Sequence, residues 1–127
     1  MKTFLIVLTT TTFLATLISQ AARESPIACD RLALTPEQRK RHFKELDPRL
    51  RALITETREL ANGYEFQLPG DAATYQLIVE WAAGEHLCCP FLDIDIRLNR
   101  DGGPASIRLT GRAGAMEFIK SEFRAMH

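Results

Sequence analysis

The run Leu92-Asp93-Ile94-Asp95-Ile96-Arg97-Leu98-Asn99, followed by Asp101-Gly102-Gly103-Pro104 and then Ile107-Arg108-Leu109, decides the fold class. Leu92, Ile94, Ile96 and Leu98 alternate with Asp93, Asp95, Arg97 and Asn99. A two-residue period of this kind marks a strand with one buried and one wet face. The Asp-Gly-Gly-Pro stretch turns the chain, and Ile107 and Leu109 continue on a partner strand.

The same pattern occurs upstream. Thr55 to Leu60 reads as a strand, and Asn62-Gly63 signals a tight hairpin because both residues tolerate positive φ. Tyr64, Phe66 and Leu68 then alternate with Glu65 and Gln67, and Pro69-Gly70 closes the hairpin. Asp71 can cap a helix whose apolar face is Leu77, Ile78 and Trp81. Gly84 weakens that helix, and Pro90 stops it at Cys88 or Cys89. At the front, Thr35-Pro36-Glu37-Gln38 is a capping box with proline at the first helical position. Phe43, Leu46, Leu50 and Leu53 form one helical face, interrupted at Pro48. Asp47-Pro48 there reads as a fresh cap and first position, predicting a kink or two abutting helices. Gly111 to Gly114 lead into a last helix with Met116, Ile119 and Phe123 inward. The order α-β-β-α-β-β-α implies an α+β fold, a four-stranded antiparallel sheet with helices on one face.

The chain has 127 residues, 16 basic and 16 acidic side chains, and 46% hydrophobic residues, which suits one globular domain. Zero net charge argues against a nucleic-acid partner. Lys2, the uncharged apolar stretch from Thr3 to Ala22, and Ser19-Gln20-Ala21 form a basic start, an apolar middle and a small-x-small exit. Residues 1–21 are read as a cleaved secretory signal, with cleavage after Ala22 as the second choice. Residues 22–34 are read as an extended N-terminal arm and 35–127 as a single α+β domain. An uncleaved anchor is opposed by the shortness of the stretch and its threonines. A lipoprotein acylated on Cys29 is opposed by the poor match of Pro26-Ile27-Ala28. The expected location is periplasmic or extracellular, with no membrane contact after cleavage.

The chemistry lies in Glu85-His86-Leu87-Cys88-Cys89-Pro90-Phe91. Adjacent cysteines do not easily bridge each other across a trans peptide. Two soft thiolates side by side can hold Hg(II), Cu(I), Zn(II) or a trivalent arsenical. On a helix, Glu85 lies three and four residues before the pair, as a ligand, proton acceptor or cap. Cys29 would complete a three-sulfur set, and His86 would extend it to the Cys3His set of zinc sites. Two other readings stand beside this one. Cys29 can bridge Cys88 or Cys89 and pin the arm, leaving the remaining cysteine buried. Alternatively, one thiol is a redox or nucleophilic group, although C-x-x-C is absent and a helix C-terminus disfavours thiolate.

Other candidates are plainer. Arg39-Lys40-Arg41-His42 reads as a solvated helix face, Asp93 and Asp95 as exposed strand residues, and Trp81 as core. His42 has a role only if its helix packs over the cysteines. His127 is terminal, and no nucleotide-binding loop, serine-hydrolase elbow or zinc-protease motif is present.

Ala33-Leu34-Thr35-Pro36-Glu37-Gln38-Arg39, Arg58-Glu59-Leu60 with Gly63-Tyr64, Glu85-x-x-Cys88-Cys89-Pro90-Phe91 and Leu109-Thr110-Gly111 together resemble a family of small, largely uncharacterised bacterial proteins that share a Glu-x-x-Cys-Cys-Pro-Phe motif. The resemblance spans roughly Cys29 to Phe123. It implies an N-terminal family cysteine at Cys29. It also implies an association with metal-responsive regulators of the mercury-resistance type, beside or fused to which some relatives occur. Two departures stand out: His86 replaces a common arginine, and the export signal contrasts with mainly intracellular relatives. The reading adopted is an exported, non-enzymatic protein that binds a soft metal or metalloid ion (zinc, copper, mercury or arsenite). Cys29, Cys88 and Cys89 are its ligands, with Glu85 and His86 auxiliary. The alternatives are a thiol redox enzyme or a disulfide-pinned module whose wet sheet face, with Asp93, Asp95 and Arg97, meets a protein partner of unknown identity.

Overall fold

A computed structural model describes residues 24–123. The proposed signal segment, its cleavage sites and His127 lie outside the described residues. Helix α1, Pro36–Lys40, begins with the predicted box: Gln38 N–H donates to Thr35 Oγ1 at 3.2 Å and Thr35 N–H donates to Gln38 Oε1 at 2.9 Å. The chain then continues through a π-helical segment, Arg41–Leu46, into α2, Asp47–Leu53. Strands β1, Glu56–Leu60, and β2, Gly63–Leu68, form the first hairpin. Helix α3, Ala72–Cys88, is capped by Asp71, which accepts from the Thr74 N–H and hydroxyl, both at 2.9 Å. Strands β3, Asp93–Leu98, and β4, Ala105–Thr110, form the second hairpin, and α4, Ala115–Phe123, ends the fold.

The fold is α+β, with one antiparallel sheet in the order β1-β2-β4-β3. The central strands β2 and β4 turn Phe66, Leu68, Ile107 and Leu109 into a core shared with Ile78 and Trp81 of α3 and Ile119 and Phe123 of α4. In α4 the buried positions are Ala115, Ile119 and Phe123, and Met116 is only half-buried. Among the described residues no helix covers the opposite sheet face. On it Glu65, 7% exposed, is clamped between Arg58 at 2.7 Å and Arg108 at 2.5 Å. The Arg108 contact, followed by burial in the opposite sense and the charge of Arg58, leaves the Glu65 carboxyl below the usual glutamate range.

Three local expectations need correction. Asp47 does not restart the helix as a cap. Its backbone is helical (φ −59°, ψ −48°), and its N–H reaches the His42 carbonyl five residues back. Proline cannot donate and crowds the turn before it, and the widened π turn accommodates Pro48 without a break. The freed Asp47 carboxylate instead accepts from Arg51 Nε at 2.7 Å and Trp81 Nε1 at 3.1 Å.

The first hairpin turns on Ala61-Asn62, because Leu60 pairs with Gly63, and neither turn residue adopts positive φ. Gly63 is needed for another reason: a side chain there would overlap the Leu109 carbonyl of neighbouring β4. Finally, β3 alternates as predicted but lies at the sheet edge beyond full helix cover. Ile96 is 37% and Leu98 50% exposed, although both share the core face with Ile107 and Ala105.

Candidate functional site: a sulfur cluster beside a buried histidine and glutamate

The site forms where α3 ends. Pro90 disfavours helix at Cys89, whose backbone leaves the helical region (φ −122°, ψ 63°) while its N–H still bonds the Glu85 carbonyl at 2.7 Å. The two sulfurs therefore project from the last turn, 3.7 Å apart. The arm reaches them from the other side. It is irregular to Asp30 and then makes a 3-10 turn, Arg31–Ala33, rather than staying extended to residue 34. Asp30 N–H bonds the Cys88 carbonyl at 2.7 Å, Arg112 donates to the Ser25 carbonyl, and Arg31 lies 3.9 Å over the Phe43 ring.

Cys29 is disulfide-bonded to Cys89, 60 residues away, and Cys88 is a buried free thiol. This is the pinned-arm arrangement that the sequence left open. All three sulfurs nevertheless lie within 4.8 Å of one another, so the cluster expected for a three-sulfur site is present in its bridged form. Burial first, and the nearby Glu85 charge second, push the Cys88 thiol up to about 12. A neutral thiol at 0% exposure is a poor nucleophile.

Two expected auxiliary residues part company. Glu85 is buried, at 7% exposure, beside the sulfurs, whereas His86 is exposed on the far side of the helix turn and, among the described residues, joins no ligand cluster. The physical reason is the helical period: residues 85 and 88 share a face and residue 86 does not. The histidine that does arrive is His42, 2% exposed, carried by the π-helical segment that packs over α3. Its Nε2 lies 2.9 Å from Glu85 Oε2, and its ring stacks near Trp81 and meets Phe43 edge-on. A nitrogen, an oxygen and a sulfur from His42, Glu85 and Cys88 also lie within 4.8 Å of one another.

Among the described residues His42 Nδ1 has no hydrogen-bond partner. An unsatisfied buried polar atom costs about 1–3 kcal/mol, so this imidazole is kept against its own desolvation. Gly84 makes room for it, since a Cβ at that position would stand 2.5 Å from Nδ1. The sequence signal for His42 was its place, one helical turn before Leu46 on the face that packs inward.

Asp93, Asp95 and Arg97 are exposed on the open side of β3, away from the helices. Arg41 of the basic run is ion-paired on the surface with Glu80 and Glu45, at 2.7 and 2.8 Å. Among the described residues no helix is long and apolar enough to cross a membrane. The chain matches no family model, no curated protein and no solved structure.

Proposed function

We propose that this protein captures a thiophilic metal or metalloid ion on Cys29, Cys88 and Cys89, outside the cytoplasm, and is not an enzyme. The observation that carries the reading is the convergence of three sulfurs, from an arm and a helix end 60 residues apart, within 4.8 Å. With Cys29 and Cys89 joined, only one thiol can ligate. Capture therefore belongs to the reduced chain, in which an external dithiol has opened the bridge and left three thiols. Mercury(II), copper(I) and trivalent arsenic favour such all-sulfur sets, and zinc tolerates them. Each thiol gives up its proton as the ion binds, so affinity falls at low pH. The bridge itself favours a second reading, in which it only pins the arm and the protein acts as a binding module without an ion.

The test is binding of arsenite, which exchanges its three oxygens for three thiolate sulfurs, and of Hg(II) to reduced and to bridged protein, followed by intact mass and thiol count. The capture reading expects one equivalent on the reduced chain, with affinity reduced steeply in Cys88→Ser and in Cys89→Ser. Unchanged affinity in both variants, or no binding by the reduced chain, sinks it and leaves the pinned-arm reading.

A further inference from the structure

The geometry points to a second ion site that is complete while the Cys29–Cys89 bridge is closed: Cys88, His42 and Glu85 form a mixed sulfur–nitrogen–oxygen set for a borderline divalent cation of the zinc type. It goes beyond the three-sulfur reading, because it needs neither Cys29 nor Cys89 and uses a histidine from a different element.

Three observations converge on it. The donor atoms of Cys88, His42 and Glu85 lie within 4.8 Å of one another, and the side chains are all buried, at 0, 2 and 7% exposure. His42 Nε2 and Glu85 Oε2 are 2.9 Å apart and hydrogen-bonded to each other, so two donors are already side by side. The third donor is held only weakly: among the described residues Cys88 Sγ donates to the Glu85 carbonyl at 3.6 Å and lies 3.7 Å from the Cys89 sulfur. The backbone is shaped for this meeting. Glu85 and Cys88 are one turn apart at the end of α3, and the π turn and Gly84 together bring the imidazole down beside them.

The donor types select the ion. One thiolate, one imidazole and one carboxylate suit zinc or cobalt(II), which accept all three. Magnesium and calcium take oxygen ligands, and the softest ions take several sulfurs. A divalent cation also balances the thiolate and the carboxylate, leaving no net charge among the buried side chains. Three protein ligands leave one coordination position for water or a fourth donor. A hollow of about 250 Å³, bordered by Cys29, Phe43, Asp47 and Glu85, opens beside the cluster.

The experiment is a Co(II) titration of the full chain with Cys29–Cys89 bridged and one free thiol confirmed. One Co(II) per chain should bind with a thiolate-to-cobalt charge-transfer band, which surface histidines cannot produce. Cys88→Ser should abolish the band. Removing even an outer partner of a metal ligand costs about 10–100-fold in affinity, so His42→Gln and Glu85→Gln should each cost about 100-fold or more. If His42→Gln fails to fold, the near-isosteric Glu85→Gln decides alone. A bridged chain without the band, or with a band unchanged in Glu85→Gln, overturns the site. A bridged chain that ignores Co(II) while the reduced chain takes arsenite overturns this site alone. The reverse pattern overturns the three-sulfur reading alone.

Discussion

The imidazole of His42 rests against the backbone of Gly84, so closely that a Cβ at position 84 would stand 2.5 Å from Nδ1 and 3.0 Å from Cγ. Alanine is the better helix former by about 1 kcal/mol, yet overpacking a closed site costs about 1–3 kcal/mol. The balance leaves Gly84→Ala less stable by up to about 2 kcal/mol in urea unfolding. Adding His42→Ala should cost less than the two single changes summed, because the clash is then gone. A stabilised Gly84→Ala would mean that the ring yields freely.

The bridge closes a loop with a sequence separation of 60 residues. Chain-entropy reasoning assigns such a loop about 4 kcal/mol. Cys29→Ser should lower the unfolding free energy by an amount of that order, and reductant should lower the wild type similarly while leaving Cys29→Ser unaffected. Equal melting temperatures with and without reductant would show that the arm contributes little.

Cys88 is buried and its thiol is pushed up to about 12. Native protein should react with iodoacetamide far more slowly than an exposed cysteine at pH 8, and the rate should keep rising beyond pH 9. Unfolding in urea should restore ordinary reactivity. The sign for stability follows: between the unfolded value near 9 and the folded value near 12, the unfolded chain loses the proton first. Stability present below pH 9 is therefore lost as pH rises through that window. Fast alkylation with a midpoint near pH 8 would contradict this burial.

Glu65 sits between Arg58 and Arg108, and its carboxyl is held below the usual range. This contribution is present above the unfolded value near 4.5 and is lost as pH falls through the lower folded value. Glu65→Gln should cost roughly 1–2 kcal/mol at pH 7, moderated by the exposure of both arginines. It should also flatten the acid limb of a stability–pH profile. An unchanged acid limb would remove Glu65 from the account.

The strands, caps and buried helix faces were legible because they depend on local period and local bonds. Alternation at Tyr64, Phe66 and Leu68 and the Thr35 and Asp71 caps are of this kind. What sequence reasoning missed depends on neighbours. Asn62-Gly63 looked like a turn pair, but the glycine answers to the close approach of β4. Asp47 looked like a cap, but a π turn absorbs Pro48 and leaves its carboxylate for Trp81. For the site, Glu85 and the paired cysteines could be picked out as a motif, whereas His86 was chosen by adjacency alone. His42 lies 43 residues from Glu85, and only the packing of one helical segment over another brings it there. The choice of Cys89 over Cys88 as the partner of Cys29 likewise depends on how the helix unwinds before Pro90.

The bridge joins Cys29 to Cys89, so the covalent ring encloses α1, α2, α3 and the β1–β2 hairpin and leaves β3, β4 and α4 outside. Yet β4 lies between β2 and β3 in the sheet, so half of the sheet interior arrives after the ring is complete in sequence. During synthesis from the N-terminus, all three cysteines emerge before the strand that buries the edge of β2. Oxidation can thus lock the first half of the molecule while its central seam is still open. The timing of thiol pairing relative to chain completion decides whether β4 meets a tethered or a free partner.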